Sequence, residues 1–134
     1  MTAGYSGTPL VRKLGIKPEH RVLLDGAPDG FELPGLPDGV SLHRRAGRDP
    51  YDVVILFTGS RARLEDRLPL HQERIRRDGA VWVAWPKRAS KVPTDMTEDV
   101  VRAVALPRGL VDVKVAAVDE VWSGLKLVIR KQNR

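Results

Sequence analysis

Two short runs in the middle of the chain are apolar at every position: Val53–Phe57 (VVILF) and Ala80–Trp85 (AVWVAW). A half-buried strand or an amphipathic helix interleaves polar residues at its own period, so short unbroken runs mark strands buried on both faces. Double burial demands cover above and below, which α/β architectures supply through helical crossovers between parallel strands. These two runs therefore set the fold class, and the other segments are read around them.

Upstream, Thr8-Pro9 opens a short helix with Leu10, Val11 and Leu14 as its apolar stripe and Gly15 as its stop. Arg21–Leu24 reads as a first strand and Val40–His43 as a second, separated by a proline- and glycine-rich loop. After Phe57, Ser60 caps a helix that turns Leu64 and Leu68 inward. Pro69 is expected to break or kink it, with a second short piece running to Arg77 before Asp78-Gly79 turns the chain into Ala80–Trp85. Asp95-x-x-Glu98 has the form of a capping box, followed by Val100, Val101 and Val104 at helical spacing and a stop over Leu106–Gly109. Val111–Val118 alternates as an edge strand does, and Leu125–Lys131 is the last strand. Residues 1–134 read as one domain, with 1–7 a loose arm and 132–134 a frayed end.

The expected fold is a single open, mostly parallel α/β sheet with helices on both faces, Rossmann-like. The order buried strand, helix, alternating strand, final strand after a short connection resembles the C-terminal half of class I methyltransferase folds. That resemblance implies a truncated version of the fold, strand order 2-1-3-4-6-5, and an antiparallel last strand.

Composition excludes whole classes of chemistry. With no cysteine, there is no disulfide, thiolate metal site or cysteine nucleophile. The N-terminus lacks a charged start and apolar core, and no apolar stretch approaches the roughly 20 residues that span a membrane. A cytoplasmic protein without a membrane partner is expected. The formal charge of +6 is carried mostly after Arg67, where the net is +5. Arg44, Arg45 and Arg48, then Arg74, Arg76 and Arg77, then Lys87, Arg88 and Lys91 form its clusters. Such clusters meet nucleic-acid phosphates or acidic partners, or serve simply as solvated faces.

Ligands of open α/β sheets bind beyond the carboxyl ends of the strands. The loop after the first strand, Asp25-Gly26-Ala27-Pro28-Asp29-Gly30-Phe31, lacks the closely spaced glycines and following helix of a nucleotide cradle. Leu42-His43-Arg44-Arg45 stands where an acid would grip a ribose. No cofactor is therefore expected, with S-adenosylmethionine left open through an unconventional use of Asp25 and its loop. His20, His43 and His71 have no metal-ligand spacing, and no metal site is expected. Thr58-Gly59-Ser60 lacks the pattern of a nucleophile turn, so no catalytic residue is assigned and Ser60 reads as a cap.

The most loaded stretch is Trp85-Pro86-Lys87-Arg88-Ala89-Ser90-Lys91, with Asp119-Glu120-Val121-Trp122 and Lys126 expected on the same rim. Aromatics beside cations stack on rings and pair with anions. The candidate ligand residues are thus Asp25, Ser60, Trp85, Lys87, Lys91, Asp119, Trp122 and Lys126. The alternative is a lid in which Trp85 packs on Trp122 while Lys87 or Lys126 pairs with Asp119 or Glu120. In either case Trp85, Lys87 and Trp122 are expected within side-chain reach of one another.

Together KLGIKPEHRVLL, YDVVILF, VWVAWPKRASKVPTDMTEDVVR and GLVDVKVAAVDEVWSGLKLVIRK resemble the bacterial, mainly actinobacterial, domain of unknown function 3052 family, over about Gly4 to Lys131. The resemblance implies a small intracellular bacterial protein and brings no catalytic residue, substrate or cofactor with it. The function expected is a non-catalytic binding module for an anionic small molecule or an acidic protein patch. A divergent S-adenosylmethionine-dependent enzyme and an arginine-patch nucleic-acid binder are the other readings, and pairing of the Val111–Val118 edge would give a homodimer.

Overall fold

A computed structural model describes residues 8–134. The proposed arm, 1–7, lies outside the described residues. One six-stranded sheet runs in the order β2-β1-β3-β4-β6-β5, the order expected above. Its strands are β1 (Arg21–Asp25), β2 (Ser41–His43), β3 (Tyr51–Phe57), β4 (Ile75–Pro86), β5 (Leu110–Ala117) and β6 (Trp122–Ile129). β1 to β4 are mutually parallel, while β6 inserts antiparallel between β4 and β5.

Side chains alternate across the strands, so the two apolar runs feed two cores. Val54, Leu56, Val81, Val83 and Trp85 face α2 (Arg61–Arg74) and α3 (Glu98–Ala105), which contribute Leu64, Leu68, Val101 and Ala105. Val53, Ile55, Phe57, Trp82 and Ala84 face α1 (Leu10–Lys13) and the loop carrying Phe31 and Leu33. Trp82 is fully buried, and its indole N–H donates to the Leu14 carbonyl at 3.0 Å, fastening α1 to the sheet. Gly15 then stops α1 in the left-handed conformation, φ +78°.

Several boundaries differ from the sequence reading. α2 runs unbroken through Pro69 to Arg74: packing of Leu64 and Leu68 outweighs the one backbone hydrogen bond that proline removes. Asp78-Gly79 does not turn the chain; it lies inside β4, where the single residue Asp52 of β3 opposes four of β4, 76–79, between the Tyr51–Ile75 and Val53–Ala80 pairs. Gly79 is required in this bulge because a Cβ would sit 2.9 Å from the Asp52 carbonyl and 3.1 Å from those of Arg76 and Tyr51. α3 is capped by Thr97, whose side chain accepts from Val100 N. Asp95 instead reaches across to accept from Arg61 N, the first residue of α2, at 2.8 Å. The expected frayed end is a 3₁₀ turn, Lys131–Asn133.

Candidate functional site

β1 ends at Asp25, whose side chain falls on the α2 face of the sheet. On α2, Arg63, Arg67 and His71 recur every four residues and share one helix face. All three converge on this carboxylate. Arg63 Nη2 donates to Oδ1 at 2.8 Å, and Arg67 Nε and His71 Nε2 donate to Oδ2 at 2.8 and 2.7 Å. His71 is fully buried, and its other nitrogen, Nδ1, lies 3.5 Å from Arg74 Nη1. Burial alone would raise the Asp25 carboxyl. The hydrogen bonds from His71 and Arg67 and the Coulomb field of His71 and Arg63 outweigh it, and hold the group well below the usual carboxylate range.

Beside this network, between the edge strand β2 and α2, lies a pocket of about 300 Å³ floored by Leu23 and lined by Asp25, Arg44, Arg45, Arg67 and Arg74. It exists because β2 is only three residues long and no helix covers it, so the α2 face of the sheet is open at that edge. Arg44 is steadied by a 3.1 Å hydrogen bond to the Phe31 carbonyl. Arg45 is exposed and makes no hydrogen bond or ion pair among the described residues. Four guanidiniums thus surround one carboxylate that is already doubly paired.

The residues singled out in the sequence do not assemble into one site. Asp25 is the exception that anchors the pocket. Ser60 caps α2, accepting from Arg63 N at 3.1 Å. β4 continues through Pro86, and β6 begins at Trp122 rather than Leu125, with Trp85 opposite Ser123 and Pro86 opposite Trp122. The two tryptophans therefore share a rim but project from opposite faces. Trp85 is buried among Met96 and Val101, whereas Trp122 packs edge-to-face on Phe57 at 5.2 Å. Neither the expected lid nor an aromatic platform forms. Asp119 does not pair with a lysine in the way expected: its Oδ1 accepts from Val121 N and Trp122 N, both at 2.8 Å. Lys87 and Lys91 flank an exposed 3₁₀ turn, Arg88–Ser90, joined to the β5–β6 loop by Lys87 N donating to Val121 O.

Lys126 lies away from the rim, in mid-strand opposite Trp82 and Lys114 and near Gly15. Burial, then the charges of Lys114 and Lys17, lower its pKa. Sequence reasoning missed Arg63, Arg67 and His71, and named Arg44, Arg45 and Arg74 only as members of charge clusters. The available signal was the polar stripe 63, 67, 71, 74 on a helix that follows a buried strand.

The rim after β1 has no phosphate or adenosyl cradle. Gly26 is in the left-handed region, but the space beside it is filled: a Cβ there would meet Arg63 Nη2 at 2.6 Å and the Phe57 carbonyl at 2.9 Å. No helix lies between β1 and β2. Among the described residues no group of three or more His, Asp or Glu is placed to hold a metal ion. No helix among them is long and apolar enough to cross a membrane.

A parallel sheet closed by an inserted antiparallel strand, with α2 and α3 on one face, defines a class I methyltransferase-like α/β fold. Solved structures bear this out. A SAM-dependent methyltransferase from Aquifex aeolicus superposes with TM-score 0.60 at 11% identity, over 90% of this chain and 88% of its own. Ribosomal protein L11 methylase from Lactobacillus delbrueckii subsp. bulgaricus gives 0.57 at 12%, over 90% and 75%. Magnesium protoporphyrin IX methyltransferase from Synechocystis, with bound SAM, gives 0.58 at 8%, over 90% and 74%. No family model matches the sequence, and no curated protein does.

Proposed function

We propose that this chain is a binding domain for an anionic ligand, built on a methyltransferase-type sheet, with its site in the arginine pocket between β2 and α2. The observation that carries this reading is the charge balance of that pocket. Its single carboxylate is neutralised by Arg63 and Arg67, so Arg44, Arg45 and Arg74 present positive charge with no acidic partner in the lining. Guanidinium forks match carboxylate and phosphate oxygens in pairs, and clustered they favour an anion over water.

The fold also supports a second reading, a divergent S-adenosylmethionine-dependent enzyme. Three features argue against that cofactor at the usual place. Arg63 fills the space beside Gly26, no helix N-terminus follows β1, and arginines stand at the end of β2 where a ribose-gripping acid is needed. The residues present do not fit the cofactor, and no reaction step is derived through it.

Thermal denaturation against pyrophosphate, citrate, S-adenosylmethionine and S-adenosylhomocysteine separates the readings. A ligand at 100 times its Kd stabilises by about 2.7 kcal/mol. The binding reading predicts a shift with the polyanions that disappears in Arg45→Gln. A shift with the adenosyl compounds alone would overturn it in favour of the enzyme.

A further inference from the structure

Deepening the anion-binding reading, and resting on it, we propose that the arginine pocket is a receptor for the dianionic phosphoryl group of a small phosphate monoester, not for a carboxylate or a phosphodiester. The first argument is charge. Arg44, Arg45, Arg67 and Arg74 line the pocket against Asp25 alone, a net of +3. A monoanion leaves +2 of that excess unopposed, whereas a dianion leaves +1.

The second argument is donor geometry. Arg67 commits Nε to Asp25, leaving both of its terminal nitrogens; Arg74 commits only Nη1, weakly, to His71; Arg45 commits nothing among the described residues. Three forks approach from two different elements, the β2–β3 loop and α2. A planar carboxylate offers two oxygens and matches one fork. A phosphoryl group offers three terminal oxygens in a tetrahedral array and can engage forks from both sides.

The third argument is preorganisation. Like-charged guanidiniums repel one another, and Asp25 and His71 are what hold Arg67 and Arg74 on the pocket wall. Asp25 is therefore a positioning residue here, with the ligand contacts falling to the arginines. The pocket is small and open to solvent at the sheet edge, which suits one phosphoryl group with the remainder of the molecule projecting outward.

The test exploits the ligand's own titration. A phosphate monoester takes its second charge near pH 6, and arginines stay charged throughout. The one carboxylate in the lining, Asp25, remains ionised; behind the lining lie buried His71, bonded to Asp25, and His43, whose Nδ1 is bonded to Tyr51 Oη at 2.7 Å. Phenyl sulfate, a tetrahedral monoanion at every pH used, reports any titration of the protein itself. Calorimetric titration at pH 7.5 should show phenyl phosphate binding at least about tenfold tighter than phenyl sulfate. Between pH 7.5 and 5 that ratio should fall roughly tenfold, following the fraction of dianion.

Arg45→Gln and Arg74→Gln should each weaken phenyl phosphate by tenfold or more while the variants melt as the wild type does. If phenyl phosphate and phenyl sulfate bind equally at all pH values and both are lost in Arg45→Gln, the dianion proposal falls and the broader anion-binding reading stands. If neither binds, or both arginine variants bind like the wild type, both fall. Glucose 6-phosphate and adenosine 5′-monophosphate, run alongside, separate a sugar phosphate from a nucleotide; tighter binding of either supports the proposal. An oligonucleotide with no terminal phosphate that competes as well as these monoesters overturns it in favour of a phosphodiester.

Discussion

Replacing Asp25 by Asn tests the network that organises the site. The side chain keeps its shape but loses its charge, and an amide N–H₂ is turned toward at least one guanidinium. The three contacts are not equal. The Arg63 and Arg67 side chains are 39% and 33% exposed, so each pair is screened by solvent and contributes at most about 1 kcal/mol. The His71 contact is fully buried on the imidazole side, and a charge-assisted hydrogen bond there is worth about 1.5–3 kcal/mol. The expected loss at pH 7 is therefore about 2–4 kcal/mol.

The pH dependence of that loss is diagnostic. The carboxyl is lowered in the folded protein, so the unfolded chain takes up its proton first as pH falls. Asp25's stabilisation is complete above the unfolded value near 3.9 and declines by about 1.4 kcal/mol for each pH unit below it, until the lower folded value is reached. Urea unfolding of wild type and Asp25→Asn, followed by tryptophan fluorescence at pH 7, 4 and 3, reads this directly. Other carboxylates titrate in both proteins and cancel in the difference. A difference that stays constant from pH 7 to pH 3, or that is under about 1 kcal/mol at pH 7, would refute the network argument.

Pro69→Ala should stabilise the protein by about 1–2 kcal/mol in the same assay, since an interior helical proline costs about 3 and its rigidity in the unfolded chain returns about 1; a loss would mean that the helix does not continue through this position. Lys126→Met should raise Tm, because the ammonium is half-buried and faces Lys114 and Lys17 with its pKa lowered. Opposed like charges in a sheet cost about 0.2–1 kcal/mol, and the gain should shrink as rising pH discharges the wild-type lysine, which burial and its two lysine neighbours hold below the ordinary lysine range. Trp85→Ala should cost about 3–5 kcal/mol as a buried aromatic truncation. Trp122→Ala, only partly buried against Phe57, should cost about 1–3; equal losses measured by denaturant unfolding would contradict the difference in their burial.

The strand order was legible because it depends on coarse features. Runs buried on both faces at Val53–Phe57 and Ala80–Trp85 demand cover from above and below, and the alternating run after α3 can only be an edge. What escaped depends on parity and register. Trp122 sits opposite Pro86 in an antiparallel ladder, so its face is decided by where β6 begins, and a shift of one residue reverses it. Gly79 reads locally as half of a turn, yet it is there because three backbone carbonyls lie within 3.1 Å of where any side chain's Cβ would stand. The arginine pocket was invisible for a different reason. Its members come from β1, the loop after β2 and α2, separated by up to 51 positions between Leu23 and Arg74, and only the parallel pairing of β1 with β2 and the crossover through α2 bring them together.

The same sheet can serve opposite electrostatic purposes, and the rim decides which. A sulfonium cofactor carries positive charge, so each guanidinium within about 8 Å of it would cost about 2 kcal/mol at an effective dielectric near 20. On a methyltransferase-type sheet that penalty falls where β1 and β2 end, and here those ends carry Arg63 pressed on Gly26 and Arg44-Arg45 after His43. Asp25 cannot offset it, because its charge is already taken by α2. A phosphoryl dianion reverses the sign of every one of these interactions. On the proposed reading the sheet's order is retained as a scaffold, while the charges at its carboxyl edge select an anion and repel the cation that related scaffolds hold.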